Sequence, residues 1–91
     1  DGKVVGKDNA YAQSVCIFQK IEACLKEAGA SMQDVVRTRM YITNVQDWEA
    51  VGRAHAQFFI DVKPASTLLE VSALINPDLL VEIEVTAILP E

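Results

Sequence analysis

At 91 residues the chain has room for one domain, and a hydrophobic content of 51% excludes disorder. Eight basic against thirteen acidic side chains leave a net charge of −5, the wrong sign for a protein that grips a phosphate backbone through clustered Lys and Arg. No apolar run approaches the ~20 residues of a membrane span, and a domain this small leaves enough surface uncovered that association with other chains is expected.

The chain opens at Asp1-Gly2-Lys3 with no initiator Met, as if inside a turn, so sequence is expected upstream. Residues 1–7, with two glycines and two lysines, read as the outgoing end of a turn or a short strand. Asp8 or Asn9 can cap a helix, its side chain accepting from the first free backbone N–H groups. Tyr11, Val15, Phe18, Ile21, Leu25 and Ala28 then recur at steps of three and four, and Gly29 suits the left-handed residue past the helix end. Cys16 and Cys24 stand eight residues apart on this helix, about 12 Å at 1.5 Å per residue, too far for a disulfide between them. They are expected to be reduced, small buried hydrophobes of a cytoplasmic protein. With one His and no CxxC pair, a structural zinc site is not expected.

Ser31 and Asp34 have the spacing of a capping box. Val35–Thr43 is β-branched and alternating, with Val36, Thr38, Met40 and Ile42 on one side and Arg37, Arg39, Tyr41 and Thr43 on the other. Asn44 or Asp47 can start a second helix whose apolar stripe is Trp48, Val51, His55, Phe58 and Phe59, with Gly52 permitting close packing. After Pro64, strands are expected at Thr67–Leu74 and Leu79–Ile88, joined as a hairpin through Asn76-Pro77-Asp78. Thr67, Leu69, Val71 and Ala73 would then face the helices with Val81, Ile83, Val85 and Ala87. The opposite face would gather Arg37, Arg39, Tyr41, Leu68, Glu70, Glu82 and Glu84, and be closed by another subunit. The order strand–helix–strand–helix–strand–strand implies an α+β domain, a mixed sheet with both helices packed on one face.

The stretches 34–59, 64–74 (PASTLLEVSAL) and 81–85 (VEIEV) resemble the YjgF/RidA family, also called the reactive-intermediate deaminase or L-PSP family. The resemblance covers nearly all of the chain and implies a single domain over residues 1–91 that lacks its first N-terminal strands. It also implies a chorismate-mutase-like α+β subunit that forms a homotrimer, with ligand clefts between neighbouring subunits. RidA-type members hydrolyse 2-imino and 2-enamino acids to keto acids and ammonia, with neither metal nor organic cofactor. An Arg in a PAR segment grips the substrate carboxylate, bidentate pairing being what a guanidinium offers, and a Glu in the IEIE-like strand helps place the attacking water.

In this chain the segment reads Pro64-Ala65-Ser66, so Ser66 stands at the Arg position, Leu68 at that of a common cysteine, and Glu82 matches the family Glu. Glu82 is thus the candidate catalytic residue. Ser66, Leu68 and Arg39 are candidates for substrate binding, Arg39 as a replacement clamp that strand parity places beside Ser66 and Glu82. Each has a plainer reading: a strand-start serine bonded to local backbone for Ser66, and a cross-strand ion pair for Arg39. Glu84 reads as an ion-pair partner, and the lone His55 as a packed, hydrogen-bonded core residue. The functional expectation is a cofactor-free binder of a small carboxylate or imino acid, either an imine/enamine hydrolase of altered specificity or a non-catalytic sensor or sequestering protein. Ribonuclease activity, also attributed to family members, is disfavoured by the net charge, so no nucleic-acid partner is expected.

Overall fold

The computed structural model describes residues 6–89; the strand or turn expected at residues 1–7 lies largely outside them. Gly6 turns the chain with φ +66, and Asn9 N donates to its carbonyl at 2.8 Å. A side chain at Gly6 would meet the Ala12 methyl at 2.8 Å. Asn9 then caps helix α1 (Ala10–Glu27), its carboxamide oxygen accepting from Ala12 N at 2.9 Å. At the other end Gly29 takes φ +83. Ala30 N reaches Leu25 O at 2.7 Å and Gly29 N reaches Lys26 O at 3.1 Å, the paired bonds of a Schellman stop. Asp34 Oδ2 accepts from Ser31 N at 2.9 Å, closing the expected box around a 3₁₀ turn at Met32–Asp34.

Strand β1 (Val35–Ile42) follows, then a 3₁₀ turn at Val45–Asp47 whose start Asn44 caps by accepting from Gln46 N, then helix α2 (Trp48–Phe59). Strands β2 (Ala65–Glu70) and β3 (Val81–Ala87) complete the sheet, both shorter than their apolar patterns suggest. The strand order is β2-β1-β3, with β2 parallel and β3 antiparallel to β1. This corrects the expected hairpin. Asn76-Pro77-Asp78 does turn the chain, Asp78 N donating to Asn76 Oδ1. The turn belongs to a connection that crosses the end of β1, where Val71 N donates to Ile42 O and Thr43 N to Leu80 O. Both edges of β1 are open once α2 has crossed over, so each later strand pairs with it.

Two parity expectations also change. Val35 is buried (2% exposed) and Val36 is 43% exposed, because a register break between Val35 and Arg37 inserts an extra residue opposite Thr86–Ala87. In β2, Ser66 lies opposite Thr38 and Leu68 opposite Met40, so Ser66, Leu68 and Glu70 face the helices while Leu69 is 50% exposed. The expectation had this strand inverted. Lys63, with φ +55, and Pro64 set the entry of β2, and Leu68 rather than Leu69 packs against Met40 and Ile42.

The core lies between the helices and the inner sheet face. One cluster gathers Ala10, Met40, Ile42, Val51 and Val81, and a second gathers Phe18, Met32, Val35, Ala54 and Phe59. Phe18 is its centre, with Phe59 edge-on at 5.4 Å and Phe58 tilted at 5.2 Å between ring centroids. Trp48, expected in the apolar stripe of α2, is 57% exposed at the first residue of that helix and belongs to neither cluster. Gly52 faces solvent with nothing within 4 Å of a would-be Cβ, so it permits no close packing within the chain. Cys16 is half-buried but Cys24 is exposed, against the expectation that both are buried; both thiols are free. No helix among the described residues is long and apolar enough to cross a membrane.

Candidate functional site at the free edge of β2

β1 brings Thr38 to the inner sheet face, α2 lays His55 over it, and β2 brings Ser66 alongside. His55 Nε2 stands 2.9 Å from Thr38 Oγ1 and 3.2 Å from Ser66 Oγ. Thr38 Oγ1 donates to Ser66 Oγ at 2.8 Å, and Ser66 Oγ donates to Pro64 O at 3.1 Å. One arrangement of protons satisfies all four contacts. Nε2–H is shared between the threonine at 2.9 Å and the serine at 3.2 Å, the threonine donates to the serine, and the serine to the carbonyl, an arrangement that requires the Nε2–H tautomer and spends both hydroxyl protons. Thr38 is fully buried, His55 half-buried and Ser66 exposed, so the chain of hydrogen bonds runs from the core to the surface.

The His55 ring packs against Phe59 at 4.8 Å and edge-on to Phe18 at 5.9 Å between centroids. Burial against these apolar neighbours pushes the imidazole below its usual range, so it is neutral near pH 7. A neutral imidazole that donates from Nε2 is not placed to take a proton from Ser66. The arrangement is a polar latch between helix and sheet, not a nucleophile–base pair.

β2 is an edge strand of the described sheet. Val71 N bonds Ile42 O at 2.7 Å, and peptide groups alternate sides along a strand, so the N–H groups of Ser66 and Leu68 point to the free edge. The Ser66 hydroxyl and these two donors, unpaired among the described residues, therefore lie at the same rim of the sheet. Farther along the same face, Glu70 Oε1 accepts from Val45 N at 2.7 Å and caps the turn before α2. That fixes Glu70 as structural and removes it from the outer face.

On that outer face, Arg39 Nε lies 3.6 Å from Glu84 Oε1, and the Tyr41 hydroxyl donates to the same oxygen at 3.0 Å. The hydrogen bond to the Glu84 carboxylate, foremost, holds the Tyr41 phenol above its ordinary range. Glu82 sits across from Tyr41 on this face, with neither ion pair nor side-chain hydrogen bond among the described residues. Of the four sequence-derived candidates, Ser66 and Leu68 thus lie on the helix side of the sheet and Arg39 and Glu82 on the other. Arg39 does not replace the clamp at Ser66 within one chain. Its partner is Glu84.

Thr38 and His55 escaped the candidate list although a signal was present: each is the polar member of an otherwise apolar stripe, and the two stripes face each other. Among the described residues no group of three or more His, Cys, Asp or Glu side chains could hold a metal ion.

The family model described as Endoribonuclease L-PSP matches residues 1–89. An uncharacterised protein of Streptomyces coelicolor is 37% identical over 82 residues, 90% of this chain and 61% of its own length. A RutC family protein of Pyrococcus abyssi is 35% identical over 86 residues, 94% of this chain and 66% of its length. The chain therefore spans just under two-thirds of these two relatives. A crystal structure from Mycobacterium tuberculosis, described as a member of the YjgF/YER057c/UK114 family, superposes with a TM-score of 0.88 at 46% identity, covering 90% of this chain and 70% of that one. With two helices on one face of a mixed three-stranded sheet, and a match that runs almost from end to end, the chain belongs to the YjgF/RidA (L-PSP) family.

Proposed function

We propose that this chain is a subunit of a homotrimeric, cytoplasmic Rid protein of a subgroup without the PAR-type Arg. It takes a small carboxylate-bearing metabolite, without a cofactor, in clefts between copies. The observation that carries this reading is the placement of Ser66 and Glu82 on opposite faces of the sheet, flanking β1. Within one chain they cannot line one cleft. A second copy laid against the outer face can bring its own edge to the Glu82 of the first. That outer face, with Arg39, Glu84, Tyr41 and the 50%-exposed Leu69, has the mixed polar and apolar character of a surface between copies.

Hydrolysis of an imine or enamine is the second reading, favoured by Glu82, whose carboxylate is exposed and unengaged and so available to hold a water. The net charge of −5 weighs against RNA as the substrate. The test uses the full-length protein. Light scattering after gel filtration should give three times the chain mass, and pyruvate should raise Tm. Then 2-aminoacrylate generated in situ is supplied to wild type, Ser66→Arg and Glu82→Gln while keto-acid release is followed. Acceleration by wild type that Glu82→Gln abolishes supports the hydrolase. A Tm rise without acceleration supports the binder, and a monomer that ignores pyruvate sinks the proposal.

A further inference from the structure

We propose that His55 is the conditional cation of this cleft: on protonation it supplies, through Ser66, the positive charge that holds the ligand's carboxylate. The inference rests on the carboxylate-binding reading above and says how a site without the family's Arg can satisfy an anion.

The geometry narrows the choice of cation. Arg37 and Arg39 lie beyond the sheet, Arg39 already paired with Glu84 and Arg37 bonded to Thr86. Arg53 of α2 stacks over the Tyr11 ring at 4.9 Å. Lys20 of α1 lines a groove with Ile17, Ile21, Leu25 and Val85, away from β2. Lys63 and Asp61 are exposed in the connection before Pro64. Among the described residues, His55 alone of the titratable side chains touches Ser66 Oγ, at 3.2 Å.

Nor is a carboxylate in place to neutralise it. Glu70 shares the face but is spent on Val45 N, Glu22 of α1 and Glu49 of α2 make no salt bridge to the ring, and no ion pair involves His55 among the described residues. What packs against the imidazole is aromatic: Phe18 from α1 and Phe59 from α2. Burial is accordingly the one cause that lowers its proton affinity. A bound anion at the Ser66 rim would offset that burial penalty.

The second proton goes to Nδ1, because Nε2–H already donates to Thr38. The latch keeps its direction, and the Ser66 hydroxyl turns from Pro64 O to a ligand oxygen with the imidazolium one hydrogen bond behind it. The edge N–H groups of Ser66 and Leu68 complete the donor set. Binding to neutral His55 therefore takes up as much as one proton from solvent, and by linkage protonation and anion binding strengthen each other by the same factor. His55 is here a positioning residue, since it acts on the ligand through Ser66.

The chain has a single histidine, which makes the test direct. Calorimetric titration of the assembled full-length protein with pyruvate, and with uncharged pyruvamide, should be run at pH 7.5 and pH 5.8. Pyruvate affinity should rise on the order of tenfold at the lower pH, with proton uptake that scales with buffer ionisation enthalpy; pyruvamide should show neither effect. His55→Asn should abolish the pH dependence. Should that variant fail to fold, the wild-type His55 ring proton titrated by NMR gives the same answer, its midpoint moving to higher pH under saturating pyruvate. Pyruvate binding with equal affinity at both pH values, or an unmoved His55 midpoint, overturns this inference and leaves the carboxylate reading standing. No pyruvate binding at either pH overturns both.

Discussion

The carboxamide of Gln13, buried in α1, accepts the backbone N–H of Leu80 at 2.8 Å, one residue before β3 begins. Its Nε2 donates to Asp78 O at 3.0 Å and to Gly6 O at 3.3 Å, so one side chain ties the start of the first helix to the entry of the last strand. Replacing Gln13 with Leu leaves the Leu80 N–H and the Asp78 carbonyl without partners. A loss of about 2–3 kcal/mol is expected, the cost of stranded buried polar groups. Urea unfolding measures it, and amide exchange should locate the lost protection at Leu80.

Ser14, the next residue, has the opposite character. Its hydroxyl is fully buried and finds no hydrogen-bond partner among the described residues. Ser14→Ala removes an uncompensated polar atom and adds helix propensity, and should stabilise the protein by about 1 kcal/mol. A higher urea midpoint at unchanged slope is the expected record. A destabilised variant would mean that the hydroxyl has a partner in the assembled protein.

His55 makes stability depend on pH with a definite sign. Its folded-state pKa lies below the ordinary 6.5 because of burial. The unfolded chain therefore binds the proton first as pH falls, and the native state loses stability from about pH 6.5 downward until the folded pKa is passed. Above pH 6.5 the contribution is complete. Comparing unfolding free energies of wild type and His55→Asn from pH 8 to pH 5.5 should show the two curves parallel at the top and converging below. Parallel curves throughout would contradict the buried neutral imidazole.

The two glycines at 6 and 52 should respond in opposite ways to alanine. Gly6→Ala forces a Cβ to within 2.8 Å of the Ala12 methyl at φ +66, so it must displace the α1 start and should cost about 1–3 kcal/mol. Gly52→Ala meets nothing within 4 Å in the chain and should gain about 0.5–1 kcal/mol from helix propensity. Thermal melts of both variants decide it. A Gly52→Ala variant that assembles poorly would instead place this helix face at a contact between copies.

Much of this architecture was legible from the chain. The period of three and four from Tyr11 to Leu25, the Asn9 start and the Gly29 stop located α1, and the alternation of Val35–Thr43 located β1. The stretches 34–59, 64–74 and 81–85 together carried the family. What failed were pairings and parities. Asn76-Pro77-Asp78 is a genuine turn, but a turn states only that the chain bends and not which strand lies beside the next. In β2 the adjacent pair Leu68-Leu69 fits either face, so the apolar pattern could not choose between them. In the fold the chain enters β2 through Lys63 and Pro64, and it is Leu68 that packs against the cluster of Met40 and Ile42. Val35 and Val36 posed the same ambiguity, resolved by a bulge. At the site, Ser66 and Glu82 were visible as positions, while their separation to opposite faces depended on that undecided parity.

The central place of β1 has a consequence for how the chain reaches its native state. β2 and β3 do not pair with each other, and each must find a strand that precedes α2 in the chain. No strand pair in the described sheet can form as a local hairpin, so every sheet bond closes a long loop and pays its entropy before any reward. Folding of this small domain should accordingly be slow for its length. It is expected to begin where local order is available, in α1 with its two capped ends, and to assemble the sheet last, around a strand that waits for both of its neighbours.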